Sequence, residues 1–237
     1  MLACQVLSEV IQNDRSFGTL ADVPRRSTAA VADSRASAVE AAVALASVEG
    51  LEGITIGRLA GELAMSKSGL IGRFGDKEAL QRAVLAAAVE RFADAVWRPA
   101  SRAEPGLPRL EAIVDAWIGH LRDGVFPGGC FVTTASVEYD ARPGALHDDV
   151  AAAVSRWLGV LEAEARRARE AGDLPADRDP TDVAFELHSL ASGGGVAGRL
   201  IGDAAALDRT RAAMRRAIGL PPGTSAAARR TNPSPAG

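Results

Sequence analysis

The chain has 237 residues, a formal net charge of −3 and only two cysteines, Cys4 and Cys130. This length suits one medium domain or two small ones, and the cysteine count argues against a disulfide framework or a cysteine-ligated metal. Alanine, leucine and arginine dominate and no apolar run approaches the ~20 residues of a membrane span, so we expect an all-α protein without a membrane segment.

Both ends of the chain lack helical periodicity. Residues 1–32 contain Pro24 followed by Arg25 and Arg26, and we predict a mobile amino-terminal arm there. No basic region precedes the short apolar start, so the arm is a poor secretory signal and the sequence predicts a cytoplasmic protein. Residues 221–237 are rich in Pro, Ala, Ser and Arg and are predicted to be a disordered tail.

The segment from residue 55 to residue 74 reads as two short helices joined by a tight turn. Thr55 can cap the first helix and Ser66 the second, while Ala64 and Met65 form the turn. In the second helix Leu70 and Phe74 face inward. The outward positions are small, polar and basic, as a helix that enters a DNA groove requires: Lys67, Ser68, Gly69 and Gly72.

Basic residues are concentrated around this segment, although the whole chain is acidic. Seven basic residues lie between residues 25 and 77: Arg25, Arg26, Arg35, Arg58, Lys67, Arg73 and Lys77. They face six acidic ones, Asp33, Glu40, Glu49, Glu52, Glu62 and Asp76, which leaves a local charge of about +1. A local cationic face is what contact with phosphates needs, whatever the total charge.

Further helices are predicted on both sides of the segment. A first helix should run from about residue 33 to Gly50, and Asp76 should cap a fourth that ends before Pro99. The remaining helices are predicted at 109–123, 130–139, 143–171, 181–200 and 204–218. About nine helices without a convincing strand make the chain all-α. Within one of them, Gly193, Gly194 and Gly195 should let two helices approach closely.

From Arg35 to about Phe92 the chain resembles the DNA-binding domain of the tetracycline-repressor (TetR) family of bacterial regulators. The resemblance rests on matched positions in one register: Ala41, Ala42, Leu45, Ala46, Glu49, Gly50, Thr55, Ile56, Leu59, Ala60, Met65 to Leu70, Phe74 and Lys77 to Leu80. It implies a helix-turn-helix DNA-binding domain at residues 33–92, with the helix-turn-helix itself at 55–74. A ligand-binding and dimerisation domain would occupy residues 93–220.

The resemblance also implies contacts to a double-stranded DNA operator. Lys67 and Ser68 would contact bases, and Gly69 would permit close approach of the helix backbone. Phosphate contacts would be made by Thr55, Arg73 and Lys77. The chain departs from the family pattern at three places. Ala64 replaces the usual turn glycine, Ile71 a common tyrosine, and Arg73 a common histidine. If residue 64 has positive φ, alanine costs about 1 kcal/mol there.

In the larger domain, aromatic residues and histidines are spread over the predicted helices. By analogy with the family we predict that six of them surround a cavity for a small organic ligand of unknown identity: Trp117, His120, Phe131, Tyr139, Trp157 and His188. Each of these taken alone could instead be an ordinary core residue. A homodimer through residues 181–218 is predicted, because one reading helix covers only a few base pairs and binding needs two-fold symmetry.

The sequence contains no nucleophile and base pair, no phosphate-cradling glycine loop and no metal-spaced histidines, so we predict no enzyme activity, cofactor or metal. The main interpretation is a ligand-responsive regulator, a repressor that a small organic inducer releases from a palindromic operator. One alternative is a helical enzyme or carrier of small molecules with a vestigial DNA-binding head. A second alternative is a scaffold that has lost both DNA and ligand.

Overall fold

The computed structural model describes the backbone of residues 25–222 and the side chains of residues 35–222. In this part of the chain nine helices of seven residues or more follow one another without a strand, and the all-α prediction is confirmed. The helices are α1 (Arg25–Glu49), α2 (Ile56–Glu62), α3 (Lys67–Phe74), α4 (Lys77–Phe92), α5 (Leu107–Asp123), α6 (Phe131–Tyr139), α7 (Ala145–Glu170), α8 (Pro180–Leu200) and α9 (Ala206–Ala217).

Helix α1 is longer than the sequence predicted. It includes residues 25–32, so the prediction of a mobile arm over residues 1–32 is wrong for that part. The segment is alanine-rich and contains neither glycine nor proline between Pro24 and Gly50, which explains why the helix extends there. Residues 1–24 lie outside the described residues. So does most of the predicted tail, of which only residues 221–222 are described, and these are not helical.

The sequence suggested that the fourth helix ends before Pro99, but the helical conformation continues past this residue. After α4 the chain continues through a π-helical turn, Ala93–Trp97, and a short helical segment, Arg98–Ala100. Pro99 lies in the first turn of that segment. Proline lacks a backbone N–H group and its ring crowds the preceding turn, which distorts a helix locally, and the π-helical turn lies directly before this segment.

The chain divides into two compact units, and each consists of two separate stretches. Within the described residues, the first unit comprises residues 25–93 and 126–156, and the second comprises 94–125 and 157–222. These units differ from the continuous ranges 33–92 and 93–220 that the sequence suggested. Helix α6 and the first half of α7 thus belong to the unit that also contains the helix-turn-helix segment.

The first unit is built around α1 and α4, which pack against each other. Their contact uses small and medium apolar side chains, so the two helices lie close together. The fully or nearly buried residues include Ala38, Ala42, Val43 and Ala46 on α1 and Leu80, Val84, Leu85 and Ala88 on α4. Helix α6 also packs against both of them. This scaffold holds α2 and α3 through Leu59 and Leu70, both of which are completely buried.

The second unit is held by α5, α8 and α9. A side chain at Gly194 of α8 would place its Cβ 1.9 Å from the Thr210 hydroxyl oxygen on α9, and one at Gly195 would lie 3.0 Å from Leu121 on α5. Real Cβ atoms do not approach other heavy atoms as closely as 1.9 Å, so Gly194 is what allows α8 and α9 to meet, and Gly195 leaves little room beside Leu121. The sequence-based expectation is thereby confirmed for Gly194, whereas a Cβ at Gly193 would have no atom within 4 Å. Across residues 25–222, no helix combines the length and apolar character that a bilayer crossing requires.

Candidate functional site

We call residues 55–80, which contain the helix-turn-helix and the start of α4, the reading segment. Side-chain caps start its three helices, as the sequence predicted. The Thr55 hydroxyl accepts a hydrogen bond from the backbone N–H of Arg58 at 3.0 Å. The Ser66 hydroxyl accepts one from Gly69 at 3.1 Å, and the Asp76 carboxylate accepts one from Ala79 at 2.8 Å. Each cap satisfies a backbone donor that the helix itself leaves open and contributes about 1 kcal/mol. The caps therefore fix where α2, α3 and α4 begin.

Helix α3 has a buried face and an exposed face. Leu70 and Phe74 are buried and attach the helix to the first unit. On the opposite side Lys67, Ser68 and Gly72 are exposed, and Gly69 is partly exposed. Ile71 is the exception among these small and polar residues, since it is a large apolar side chain that is 51% exposed. The exposed face is otherwise of the size and polarity that a DNA groove accepts.

The turn between α2 and α3 contains a strained residue. Ala64 has φ = 50°, and within the described part of the chain it is the one non-glycine residue with positive φ. The sequence-based suspicion of strain at this position is confirmed. Alanine in this region suffers a clash of its Cβ with the backbone, whereas glycine does not.

We expect the substitution Ala64→Gly to stabilise the protein by about 1 kcal/mol, because it removes this clash. For a protein of this size the melting temperature should rise by roughly 2–4 °C, which differential scanning calorimetry can measure. Ala151→Gly is the matched control, since Ala151 is an exposed residue inside α7. There glycine should destabilise the protein by roughly 0.5–1 kcal/mol. Equal effects of the two substitutions would contradict strain at Ala64.

Several basic residues of this region are held by partners within the chain, most of them acidic. Arg58 contacts Glu49 at 2.6 Å and Glu62 at 3.0 Å. The ammonium group of Lys77 forms an ion pair with Glu52. Arg73 donates to the carbonyl oxygen of Gly69 at 2.7 Å. In contrast, no described residue forms an ion pair with Lys67, which projects from the start of α3. The charge available for an external anion is therefore smaller than the count of basic residues suggested.

Glu52 is the centre of a polar cluster that the sequence did not reveal. Besides Lys77, its carboxylate accepts hydrogen bonds from the Tyr139 hydroxyl at 3.1 Å and from the Gln81 side chain at 3.3 Å. The hydrogen bond from Lys77 is the main reason that the pKa of Glu52 lies below its usual value. Burial, assisted by Glu52, raises the pKa of Tyr139. Glu52 is therefore a fixed anion beside Lys77.

A second carboxylate fastens helix α6 to the loop that precedes the reading segment. Glu138 accepts hydrogen bonds from the backbone N–H groups of Leu51 at 2.7 Å and Glu52 at 2.8 Å. Gly50 has φ = 83°, and the position of a Cβ there would be 3.0 Å from the Glu138 carboxylate. Because Glu138 is 86 residues or more away from these partners in sequence, no local pattern could have identified it.

In the second unit three of the six predicted pocket residues lie in contact. The Trp117 and Trp157 rings meet edge to face with centroids 5.2 Å apart, and the His188 ring lies 6.1 Å from Trp117. Both tryptophans are buried. Burial lowers the pKa of His188, and no described residue forms a hydrogen bond with its Nδ1 atom, which is itself buried. The cluster thus presents apolar rings and one neutral imidazole nitrogen.

The other three predicted pocket residues are placed differently. His120 is buried on α5 of the same unit, and burial, only partly opposed by Asp123, lowers its pKa to about 4. Phe131 and Tyr139 are on α6 in the first unit, where Phe131 packs against Phe126 with ring centroids 5.8 Å apart. The structure therefore does not bring these two residues into the tryptophan cluster. Among the described residues no group of His, Cys, Asp and Glu side chains could hold a metal ion.

Helices α8 and α9 carry an apolar surface that the second unit leaves open. Phe185 and Leu200 on α8 are 66% and 81% exposed, and the neighbouring Ile201 is 74% exposed. Phe185, Ser189, Val196 and Leu200 follow one another at helical spacing and therefore share one face of α8. An open groove of about 450 Å³ lies between α8 and α9, and its lining includes Gly193 and Arg209. Exposed apolar area of this kind is typical of an interaction surface.

The two capped helices, with the small and polar exposed face of the second, have the arrangement of a helix-turn-helix motif. Comparison with known families agrees. Residues 38–84 match the family model described as bacterial regulatory proteins of the tetR family, and residues 106–214 match the one for the tetracyclin repressor-like C-terminal domain. The chain belongs to the TetR family of transcriptional regulators. No sequence among the curated proteins matches it significantly.

Solved structures show the same fold. A TetR regulator from Chloroflexus aurantiacus is 19% identical with a TM-score of 0.72, and the alignment covers 81% of this chain and 95% of that one. A TetR-family regulator from Cytophaga hutchinsonii is 20% identical with a TM-score of 0.71, and the alignment covers 82% of this chain and 98% of the other. AibR, whose structure was solved in complex with isovaleryl coenzyme A and operator DNA, is 21% identical with a TM-score of 0.63. The alignment covers 80% of this chain and 99% of AibR.

Proposed function

We propose that this protein is a repressor that binds a palindromic operator as a homodimer and leaves it when a small organic molecule binds to the second unit. The observation that carries the proposal is the exposed face of α3, which the caps and the buried Leu70 and Phe74 hold in place. A regulator of this kind acts on the chromosome, so its place of action is the bacterial cytoplasm.

On this proposal α3 enters the major groove of the operator. Lys67 and Ser68 at its amino-terminal end contact base edges, and Ile71 lies on the same exposed face. Gly69 lies beside them, and a Cβ there would lie 3.0 Å from the Ser66 hydroxyl that caps the helix. Thr55 and Arg73 flank this face and contact phosphates, whereas Lys77 beside them is held by Glu52 in the unmodified protein. The presence of Lys67 without an ion-pair partner in the described chain supports this assignment.

The exposed face of α8 supports a dimer through residues 181–218. Phe185, Leu200 and Ile201 leave most of their side-chain surface to water, which is unfavourable in a monomer. A second copy of the chain would cover them, and the groove between α8 and α9 would accept side chains of that copy. Two-fold symmetry would then place two α3 helices on half-sites about one turn of DNA apart.

The cluster of Trp117, Trp157 and His188 supports a binding site for a small organic ligand in the second unit. Its rings supply apolar surface, and the unused Nδ1 atom of His188 supplies a hydrogen-bonding group that can orient a polar substituent. His120 on α5 adds a buried imidazole to this unit. The structure of AibR, which shares this fold, is of a complex with isovaleryl coenzyme A and operator DNA, so a protein of this fold can have both kinds of partner. Phe131 and Tyr139 are not part of this proposed site.

Selection of bound fragments from genomic DNA tests the proposal. The purified full-length protein should enrich sequences that share an inverted repeat with half-sites about one helical turn apart. Enrichment without two-fold symmetry would contradict the dimeric operator complex, and absence of enrichment would contradict sequence-specific binding. Compounds that release the recovered operator can then be screened, with the fluorescence of Trp117 and Trp157 as the readout of binding to the second unit.

We expect Glu52→Gln to strengthen binding to DNA at low salt. The substitution removes the anion that pairs with Lys77, so the ammonium group becomes available to a phosphate. The slope of log Kd against log salt concentration should become steeper by about one per subunit. Fluorescence anisotropy with a labelled operator at several salt concentrations measures this change.

Glu62→Gln is the matched control for Glu52→Gln. It also removes one negative charge from the reading segment, yet Arg58 keeps its pairing with Glu49 at 2.6 Å. Its salt slope should therefore stay close to that of the unmodified protein. The same increase in both variants would show that net charge, and not release of Lys77, determines the slope.

A further inference from the structure

The exposed isoleucine on α3 is not required by the packing of that helix. Ile71 leaves 51% of its surface to water, while Leu70 and Phe74 on the other side are 0% and 6% exposed and make the contacts that hold α3. A half-exposed, β-branched apolar side chain gains little free energy in the isolated protein. It is therefore available for an external contact, and the proposed function supplies the surface on which to look for one.

The surroundings of Ile71 make it protrude from the face of α3. One helical turn towards the amino terminus lie Lys67 and Ser68, both exposed. On the other side are Gly72 and Gly75, and the space where each would carry a Cβ has no atom within 4 Å. The isoleucine is thus the one bulky apolar group between two polar residues and two glycines. Its χ1 angle is restricted in a helix, so little rotamer entropy is lost when it makes a contact.

The floor of the major groove offers such a side chain one apolar group. The edges of adenine, guanine and cytosine display hydrogen-bond donors and acceptors there and no methyl group, whereas thymine displays a C5-methyl group beside its O4 acceptor. An isoleucine cannot satisfy a donor or acceptor, and facing one would leave that group without its water. The chemistry of the exposed face therefore favours a thymine opposite Ile71 over any other base.

We propose that Ile71 is a specificity-determining residue that packs against the C5-methyl group of one thymine in each half-site. The inference rests on the proposed function, since it assumes that α3 lies in the major groove. It adds a base identity at one position of the operator. Lys67 and Ser68 then read the neighbouring bases through hydrogen bonds, and Ile71 reads its base through shape and apolar contact alone.

Replacement of single thymines by deoxyuridine tests the inference, because it deletes only the methyl group and leaves the hydrogen-bonding edge intact. With a selected operator, the unmodified protein should show one thymine position per half-site at which uracil weakens binding about fourfold, or about 15-fold when both half-sites are changed. Binding is measured by fluorescence anisotropy at constant salt. Uracil at the other thymines should have little effect.

The variant Ile71→Ala completes the test. It should bind the thymine and uracil operators with nearly equal affinity, whereas Lys67→Ala should bind both more weakly and keep the preference for thymine. Both side chains are exposed, and thermal unfolding checks that the variants stay folded. The inference is overturned if the unmodified protein is indifferent to uracil at every position, or if Ile71→Ala keeps the full preference. Failure to select any DNA sequence would instead overturn the proposed function, and this inference with it.

Discussion

Replacement of Phe185 by glutamate is expected to convert the protein into a monomer at micromolar concentration and to weaken operator binding about 100-fold or more. Phe185 is 66% exposed on the apolar face of α8, where the proposed partner subunit would bury it. A carboxylate in that position would have to lose its water without gaining a partner, which an interface does not tolerate. Without the dimer each subunit binds its half-site alone, and the gain from simultaneous contact is lost.

The fold of the subunit should survive this substitution, because the side chain contributes little to the core. Val137→Glu is the matched control. Val137 is 71% exposed, but it lies on α6 and not on the apolar face of α8. Its variant should keep the mass of the dimer in light scattering coupled to size-exclusion chromatography. If the Phe185 variant also keeps the dimer mass, the interface does not include the exposed face of α8.

The substitution Gly128→Ala, which adds one methyl group, is expected to destabilise the protein by about 3 kcal/mol or more. The position of the added Cβ is 1.6 Å from the carbonyl oxygen of Ser47 and 2.3 Å from its carbonyl carbon. These are backbone atoms of α1 and cannot rotate away. In addition, the backbone N–H of Gly128 donates to the Ser47 hydroxyl at 3.1 Å, and a displaced loop would lose this hydrogen bond. The melting temperature should therefore fall by roughly 6–12 °C.

Gly119→Ala provides the comparison for Gly128→Ala. Gly119 lies inside α5, and no atom is within 4 Å of the Cβ that would be added. Alanine should be neutral there or stabilise the helix by roughly 0.5–1 kcal/mol. Urea unfolding of both variants measures the difference. A similar small effect at both positions would mean that the segment containing Gly128 can separate from α1 at little cost.

The Gly128 contact also explains part of what the sequence could not predict. The sequence placed residues 126–156 in the second domain, because no local signal shows which helices a loop returns to. The structure groups them with the reading segment through contacts that span 81 or more residues, such as Gly128 with Ser47 and Glu138 with Leu51. For the same reason the sequence grouped Phe131 and Tyr139 with the second domain, whereas the structure groups both with the first unit.

Electrostatic pairing was likewise invisible in the sequence. The list of basic residues near α3 was correct as a composition, but Arg58 and Lys77 turned out to have acidic partners. Glu52 is 25 residues from Lys77 along the chain, and neither belongs to a motif with the other. A count of charges can indicate a cationic region, but only the fold decides which charges are neutralised at short range.

By itself, the sequence determined the features that depend on neighbouring residues: the all-helical class, the caps at Thr55, Ser66 and Asp76, the inward and outward faces of α3 and the strained turn at Ala64. Helical periodicity and capping act over three to four residues, so they are legible in a single sequence. The tertiary structure alone decided that α6 belongs to the first unit and that Glu52 pairs with Lys77. It also decided that the rings of Trp117, Trp157 and His188 lie in contact. These contacts join residues far apart along the chain, where the free energy of packing and not local preference selects the partner.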